Sequence, residues 1–295
     1  MAGLPAAHGP DLLRNLFDAA LAAAAPSRLL PPHLPPMPAG RTVVVGAGKA
    51  AAAMACAVED HWPGELSGLV VTRYGHKMPC RRIEVIEAGH PVPDLAGTEA
   101  ADRILAAVQG LGADDLVLFL LSGGASALMA LPAPGITLED KREVAQALLR
   151  SGADIGEINC VRKHLSAVKG GRLAAAAFPA PTLSLAISDV PGDDPAVIGS
   201  GPTVGDPTSF AQARAILTKY AIAPPAAVAR RFAAASDETP KPDDPRLGRS
   251  RYVLLATPQA ALEAAAAAAR AAGVTPIVLS DRIEGEARET AKLHA

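Results

Sequence analysis

Short apolar runs alternate with longer helical patterns along most of this chain. Five runs, each ended by Gly, Ser or Asp, are TVVVGAG, LSGLVVTRYG, IEVIEAGH, DLVLFLLSGG and TLSLAISD. Most of the segments between them carry apolar residues at helical spacing. Strands that alternate with helices build a parallel sheet covered on both faces. The pattern therefore predicts a three-layer α/β/α fold with a mainly parallel, Rossmann-like sheet.

The same pattern predicts the limits of this domain. A first helix is predicted from about Asp11 to Ala25, and six prolines within residues 26–40 predict an extended connector without regular structure. Residues 236–250 are charged, rich in proline and free of apolar periodicity, as is typical of a linker. We therefore assign residues 1–235 to a Rossmann-like N-terminal domain.

Residues 251–295 predict a strand, a helix, a second strand at VTPIVLSD and a last helical pattern, EGEARETAKLHA, without a signal for its end. This order is the beginning of a second α/β domain. One strand–helix–strand unit cannot bury both faces of its strands alone. Two arrangements are therefore open: the segment adds to the first sheet, or the chain is a truncated form of a longer protein.

Composition narrows the class of partner. Of the 295 residues, 49% are hydrophobic and only 3% aromatic, so we expect a core of Ala, Val, Leu and Ile. The formal net charge is −2 and no block of like charges occurs. These features argue against a nucleic-acid or membrane partner and favour a small molecule. Whether the protein forms a homodimer is left open.

The cysteines and the N-terminus bear on the compartment. Cys56, Cys80 and Cys160 are widely spaced and form no C-x-x-C pair, which argues against a disulfide framework or a structural zinc site. The N-terminus lacks the basic region of a signal peptide, and no apolar run approaches the roughly 18 residues of a membrane span. We therefore expect a cytoplasmic protein.

The first candidate site is the turn in VVVGAGKAA. Gly46, Gly48 and Ala51 fit the dinucleotide fingerprint, but the next strand, LVVTRYG, does not end in the acid that would bind the ribose. The Walker A pattern fails as well, because Ala50 stands where Ser or Thr would bind magnesium. A helix N-terminus beside Lys49 still favours an anion, especially a phosphate. An NADP site and a packing turn with a solvated lysine are the alternatives.

A second glycine-rich turn lies in LLSGGASAL. Gly123 and Gly124 let the backbone approach a ligand, and Ser122 and Ser126 offer hydroxyl groups, which suits phosphate binding. The stretch GASAL also approaches the nucleophile elbow of serine hydrolases, although it lacks the last glycine. A hydrolase is therefore the alternative at this turn.

Acidic residues follow the fifth run, in TLSLAISDVPGDDP. Asp189 is placed to bind magnesium or to take a proton from a substrate hydroxyl, and Asp193 is a second candidate for magnesium. The alternative is that Asp189 caps the turn through its own backbone. A further loop of small residues follows, in which Ser200, Gly201 and Thr203 are candidates for the same rim.

The most cationic part of the chain is NCVRKHLSAVKGGR, residues 159–172. Asn159, Arg162, Lys169 and Gly170 are its candidates for binding a carboxylate or phosphate. A solvated helix face is the ordinary alternative. Elsewhere, GHPVPD follows the third run and is expected to line the crevice, whereas the isolated histidines show no metal-ligand spacing.

Five motifs, in this order, resemble the glycerate 2-kinase family, which is also labelled MOFRL or hydroxypyruvate reductase: VVGAGKAA, GHPVPD, LLSGGASAL, INCVRKHLSAVKGGRLA and SDVPGDDPAVIGSGPT. The resemblance implies two α/β domains facing a cleft. It also implies phosphorylation of D-glycerate to 2-phosphoglycerate with ATP and Mg²⁺ as cofactors. Lys49 resembles the family's catalytic lysine, and Asp189 resembles the aspartate of its S-D-V-P-G-D motif. Family members continue beyond residue 295 into a region with further active-site residues, including an arginine.

We therefore predict an ATP-dependent kinase that acts on D-glycerate. Asp189 is expected to orient or deprotonate the 2-hydroxyl or to bind Mg²⁺, while Lys49 steadies charge on the transferred phosphoryl group. Arg162 or Lys169 is expected to bind the substrate carboxylate. The alternatives are an NAD(P)-dependent hydroxypyruvate reductase and a fragment of the kinase that binds ligand without turnover.

Overall fold

A parallel sheet of six strands, in the order β3-β2-β1-β4-β5-β6, forms the centre of the fold. The computed structural model describes residues 9–283 and 286–294. The strands are β1 (Thr42–Ala47), β2 (Ser67–Arg73), β3 (Ile83–Ala88), β4 (Leu116–Leu121), β5 (Thr182–Ile187) and β6 (Ser250–Ala256). This order is that of Rossmann folds, with the reversal between β1 and β4. The predicted fold class is confirmed.

Helices cover both faces of the sheet. Within the described ranges they are α1 (Gly9–Ala23), α2 (Pro26–Leu29), α3 (Ala51–His61), α4 (Leu95–Val108), α5 (Ala125–Leu128), α6 (Leu138–Ser151), α7 (Ile155–His164), α8 (Arg172–Ala177), α9 (Phe210–Lys219), α10 (Ala226–Ala234), α11 (Pro258–Ala271) and α12 (Ala287–His294). None of these helices is long and apolar enough to cross a membrane.

The sheet has a hydrophobic core on each face because successive side chains of a strand point to opposite sides. Val43 and Val45 pack with α4 on one face, whereas Val44 packs with α3 on the other. All six residues of β1 and all six of β4 are buried. Strands buried on both faces require apolar residues at nearly every position, which explains why these runs are so apolar.

A third hydrophobic cluster lies among α6, α7, α9 and α10. Thr137 and Asp154 each form a capping box, so both α6 and α7 begin at a fixed residue. Leu148 of α6, Val161 of α7 and Phe232 of α10 are among the buried residues that join these helices. This packing fixes the positions of the basic side chains that α6 and α7 carry toward the candidate site.

The segment after α10 connects directly to the main sheet. β6 pairs in parallel with β5, so the strand that follows residues 236–250 adds to the first sheet, one of the two arrangements left open above. Residues 236–250 are bound to the preceding helices, since Asp237 pairs with Arg172 and Arg231. The division of the chain into domains at this segment stays a prediction.

The second strand predicted in the C-terminal part is wrong. Residues 274–281 have no regular secondary structure, and Ile277 and Leu279 are 83% and 64% exposed. A strand needs a neighbour for its backbone N–H and C=O groups. Within the described ranges, no strand lies beside the outer edge of β6, and residues 274–281 do not pair there. The last helical pattern does form a helix, α12, over its described residues.

The proline-rich connector also differs from the prediction, because it contains α2 and a turn of 3-10 helix at Pro31–His33. Each begins with a proline. Proline is compatible with the first turn of a helix, where its missing N–H would have no acceptor in the helix. The first helix, predicted at residues 11–25, spans Gly9–Ala23.

All three cysteines are free. Although distant in sequence, Cys56 and Cys80 lie with their sulfur atoms 3.1 Å apart. Burial and the neighbouring Cys56 thiol raise the pKa of Cys80 to about 12. A thiol with so high a pKa is protonated at neutral pH and is therefore a poor nucleophile.

Candidate functional site

The candidate site lies at the carboxyl ends of β1, β4 and β5, beside the point where the strand order reverses. Ligands of open parallel sheets bind in the crevice at this point. Lys49 follows β1, Ser122 and Gly123 follow β4, and Asp189 follows β5. Three motifs that are distant in sequence therefore meet at one edge of the sheet.

Lys49 and Asp189 form an ion pair at this edge. The distance from Lys49 Nζ to Asp189 Oδ2 is 3.2 Å, and the two side chains are 42% and 50% exposed. An ion pair so exposed contributes little to stability. Both charged groups are thus accessible to a ligand.

Ser188, and not Asp189, caps the turn that contains Asp189. The hydroxyl of Ser188 accepts a hydrogen bond from the N–H of Val190 at 3.1 Å and donates to the Val190 carbonyl at 3.3 Å. Since Ser188 takes this local role, the Asp189 carboxylate is left to contact Lys49.

Gly48 and Ser122 connect the turns after β1 and β4. Gly48 has a φ of +139°, and a Cβ there would collide with the Ser122 hydroxyl. The N–H of Ala50 donates to Ser122 Oγ at 3.0 Å, and the N–H of Lys49 donates to the Gly123 carbonyl at 2.8 Å. Ser122 itself is 2% exposed. Its hydroxyl therefore holds the two turns together from inside.

These contacts decide which groups of the first turn face a ligand. The N–H groups of Gly48 and Ala51 also donate within the protein, to the carbonyls of Val71 and Gly48 at 3.0 and 3.1 Å. A Cβ at Gly46 would collide with the Leu120 backbone. The glycines therefore serve close packing, and the side chain of Lys49 is the group that this turn presents to the crevice.

Gly123 makes room for the Asp189 carboxylate. A Cβ at Gly123 would overlap both oxygens of that carboxylate. Its neighbour Gly124 lies against the imidazole of His90, which follows β3. Burial lowers the pKa of His90, and the positive charge of Lys49 lowers it further. The turn after β4 thus contacts Asp189 through Gly123 and His90 through Gly124.

A chain of hydrogen-bonded hydroxyl and amide groups joins three predicted site residues. Ser126 Oγ lies 2.9 Å from Ser200 Oγ, and the Ser200 hydroxyl donates to Asn159 Oδ1 at 3.0 Å. Ser200 and Asn159 are 0% and 4% exposed. Of the three, Ser126 lines an open pocket. Ser200 and Asn159 stand behind it and fix its hydroxyl.

Three other predicted residues lie deeper. The N–H of Gly170 donates to the Ser200 carbonyl at 3.1 Å, and the Gly201 carbonyl accepts from Gly171 at 2.8 Å. The Thr203 hydroxyl lies 2.6 Å from that of Ser184, and both are buried. Gly170, Gly201 and Thr203 thus join the loops under the site and do not line its pocket.

Beside the Lys49–Asp189 pair, a pocket of about 300 Å³ opens between the turn after β4 and helices α6 and α7. Four cationic side chains line it. Arg142 pairs with Glu139 at 3.2 Å, and the other three are Lys141 of α6, Arg162 of α7 and Lys169 of the following loop. Among the residues that the structure describes, none of the three has a carboxylate partner. Their positive charge therefore faces the pocket without compensation from the protein.

Burial acts on all three cations. It lowers the pKa of Lys169, which is 2% exposed, and the charges of Lys141 and Arg162 lower it further. Burial, with help from Arg162 and Arg231, lowers the pKa of Lys141 to about 7. Burial also lowers the pKa of Arg162. Burial and the neighbouring like charges therefore destabilise the positively charged forms unless a bound anion compensates their charge.

The other two basic residues of the cationic segment are paired. Lys163 lies 3.3 Å from Asp206 in a buried ion pair, and Arg172 lies 2.8 Å from Asp237. The structure thus separates Arg162 and Lys169, which face the pocket, from Lys163 and Arg172. Sequence reasoning missed Lys141 because a single lysine in an amphipathic helix resembles any solvent-exposed one.

Asp193 is the second residue predicted to bind magnesium. Its Oδ1 atom is buried and has no hydrogen-bond partner among the described residues, and its backbone has a φ of +55°. The described residues contain no group of three His, Cys, Asp or Glu side chains placed to hold a metal ion by themselves. Magnesium typically takes only one or two carboxylates and completes its shell with water and phosphate oxygens. Asp189 and Asp193 stay predictions for the carboxylates of such a site.

A family model described as a domain of unknown function (DUF4147) matches residues 12–233. The D-glycerate 2-kinase of Thermotoga maritima is 40% identical over 292 residues, which are 97% of this chain and 68% of that protein. An Agrobacterium vitis protein, provisionally named hydroxypyruvate reductase, is 57% identical over 286 residues, 97% of this chain and 64% of that protein.

A crystal structure shows the same likeness. That of the Thermotoga maritima glycerate kinase superposes with a TM-score of 0.80 at 40% identity, covering 89% of this chain and 62% of that one. The chain thus spans about two thirds of the length of these relatives. On the evidence of its ordered motifs, its sheet and these matches, the chain belongs to the glycerate 2-kinase family.

Proposed function

We propose that this protein takes part in the transfer of a phosphoryl group from ATP to the 2-hydroxyl of D-glycerate, which yields 2-phosphoglycerate and ADP. The observation that carries the proposal is the accessible Lys49–Asp189 pair beside a small cationic pocket. The names of the Thermotoga relatives support the same reaction.

Each member of the pair has a role in this reaction. The Asp189 carboxylate accepts the hydrogen of the 2-hydroxyl group, which orients the oxygen for attack on the γ-phosphorus and takes its proton as the new P–O bond forms. The Lys49 ammonium neutralises charge that develops on the transferred phosphoryl oxygens. Because the pair is half exposed, a hydroxyl group can insert between its members.

Mg²⁺, when bound, would neutralise the phosphate oxygens of ATP. Asp189 and Asp193 are the residues that would hold it, and Asp193 Oδ1 has no hydrogen-bond partner in the part of the chain that the structure describes. The free cysteines suit the expected reducing, cytoplasmic compartment.

The pocket suits the acid substrate better than the nucleotide. Its volume of about 300 Å³ is at the lower limit of small-molecule sites and accepts a three-carbon acid. Arg162 and Lys169 face it and would bind the substrate carboxylate. The N–H groups of the turn after β1 are engaged within the protein, so that turn does not cradle the triphosphate. The longer relatives have a further region, and the family resemblance assigns additional active-site residues to it.

A reductase is the second candidate, favoured by the name of the Agrobacterium relative. It requires a pyrophosphate on the fingerprint turn and an acid after β2. The engaged N–H groups of Gly48 and Lys49 and the ending of β2 at Arg73 argue against both. A third candidate is that this chain binds ligand but needs the relatives' further region for turnover.

One pair of assays separates these candidates. We expect the protein with ATP, Mg²⁺ and D-glycerate to release ADP and 2-phosphoglycerate, and to leave the NADH or NADPH absorbance unchanged with hydroxypyruvate. Oxidation of the nicotinamide without ADP release would refute the kinase and support the reductase. Binding of D-glycerate and ATP without either product would identify the third case, and a version extended to the relatives' length would then be assayed.

A further inference from the structure

Within the described residues, Lys141 is a third cation without a carboxylate partner in the pocket beside the Lys49–Asp189 pair. It lies in the first turn of α6, and its ammonium donates to the Leu131 carbonyl at 3.1 Å. It lines the pocket together with Arg162 and Lys169. A single carbonyl does not balance its charge.

The three cations are held by separate elements that cannot easily move apart. α6 and α7 are fixed by capping boxes and by their shared hydrophobic cluster. Lys169 is 2% exposed and its ammonium donates to the Gly199 carbonyl at 3.3 Å. Burying like charges together costs free energy unless an anion compensates them. The arrangement therefore indicates an anion site and not a solvated helix face.

We propose that Lys141 acts with Arg162 and Lys169 as one carboxylate-binding site, which selects small 2-hydroxy acids by their carboxylate. The choice of a hydroxy acid rests on the proposed function. The anion site itself rests on the geometry of the three cations.

The walls of the pocket favour a carboxylate over the phosphates of ATP. Val92, Leu138 and Leu149 also line the pocket and supply apolar surface, which suits a short carbon chain and not a triphosphate. The Ser126 hydroxyl lies in the same pocket and offers a partner for a substrate hydroxyl. The Lys49 side chain lies beside Gly124, which lines the pocket, so the proposed catalytic pair borders the proposed carboxylate site.

The affinity of this site for a carboxylate depends on pH. The charged and titratable groups around the Lys141 ammonium are Arg142, Arg162, Lys169, Arg231 and His90. None of them is acidic, and the pKa of Lys141, lowered by burial, is about 7. A bound carboxylate favours the charged lysine and raises this pKa. Affinity is therefore full below about pH 7 and falls as the pH rises above it, and binding near that pH takes up a proton.

Calorimetric titration with D-glycerate, without nucleotide, tests the proposal. We compare the wild type with Lys141→Met and Lys141→Arg at pH 6.5 and 8.5, in buffers of different ionisation enthalpy. Lys141→Met should weaken binding at pH 6.5 at least about tenfold, the loss of one charge-assisted hydrogen bond. Lys141→Arg should retain binding and lose proton uptake by residue 141, because arginine stays charged. Lys77→Met, at an exposed lysine, is the control.

Two further titrations identify the bound group. Glycerol, which lacks the carboxylate, should bind to none of the variants, and ATP should bind to Lys141→Met as it does to the wild type. Unchanged D-glycerate binding by Lys141→Met would overturn the proposal. Loss of ATP binding alone would also overturn it and assign the three cations to phosphate. Because no turnover is measured, the two proposals fail separately: binding that depends on Lys141 without ADP release in the separate assay would leave the anion site intact and indicate the third candidate of the proposed function.

Discussion

At the scale of single residues, Lys49 distinguishes the first turn from a dinucleotide-binding turn. The glycines around it pack against β4, and the nearby N–H groups donate within the protein. The Lys49 ammonium is the part of this turn that reaches Asp189, at 3.2 Å. The chemistry proposed for the turn therefore depends on one side chain and not on its backbone.

We expect Lys49→Met to lower kcat for ADP release by roughly 10²–10³-fold, the loss typical of removing one group that stabilises transition-state charge. The melting temperature should change little, because the ion pair with Asp189 is half exposed. Steady-state assays with saturating D-glycerate measure the effect, and Lys77→Met is the matched control. An unchanged kcat would show that Lys49 has no catalytic role.

At the scale of elements, the turn after β4 positions a residue that belongs to the turn after β5. Gly123 lies against the carboxylate of Asp189, and Gly124 lies against His90. The absence of a side chain at Gly123 therefore determines where that carboxylate lies. Gly123 thus allows the Asp189 carboxylate to come close to the turn, whereas Asp189 itself performs the proposed chemistry.

The variant Gly123→Ala should displace the Asp189 carboxylate and lower kcat by about 10²-fold, as expected when a catalytic group moves by about 1 Å. Asp189 is half exposed and can swing aside, so the fold should persist. The control is Gly112→Ala, where the nearest atom to a new Cβ is 3.8 Å away. Equal activity of the two variants would contradict the proposed position of Asp189.

At the scale of the whole molecule, residues 236–250 bind the helices near the site to the last strand of the sheet. Glu238 accepts from the N–H groups of Phe210 and Thr239 at 3.1 and 2.9 Å and lies 2.7 Å from His164 Nε2. Burial raises the pKa of Glu238, but these hydrogen bonds outweigh it and lower the pKa to about 2. The segment is thus tied to α7 and α9.

A pKa lowered in the folded state contributes stability above the unfolded value of 4.5 and loses it as the pH falls toward about 2. We therefore expect Glu238→Gln to melt at a lower temperature than the wild type at pH 7, since its amide N–H₂ cannot accept from the backbone. The difference should shrink between pH 4.5 and 2. Thermal melts across this range test it, with the exposed Glu99→Gln as control; a difference independent of pH would refute the assignment.

The sequence by itself determined the α/β class and the positions of the first five strands, because strands buried on both faces must be apolar and their ends need turn residues. It also indicated Lys49 and Asp189, each placed just past a strand. It did not determine the secondary structure of VTPIVLSD, which was predicted to be a strand. An apolar run becomes a strand only where a neighbouring strand offers hydrogen bonds, and within the described ranges no strand lies beside this run.

The tertiary structure alone decided which polar residues share a surface. Ser122 and Ser126 belong to one motif, yet Ser122 is buried between two turns while Ser126 lines the pocket. Arg162 and Lys163 are adjacent, yet among the described residues only Lys163 has a carboxylate partner, Asp206. Lys141 joins Arg162 only through the packing of α6 on α7. Local spacing cannot encode such contacts, because they arise where elements distant in the chain pack together.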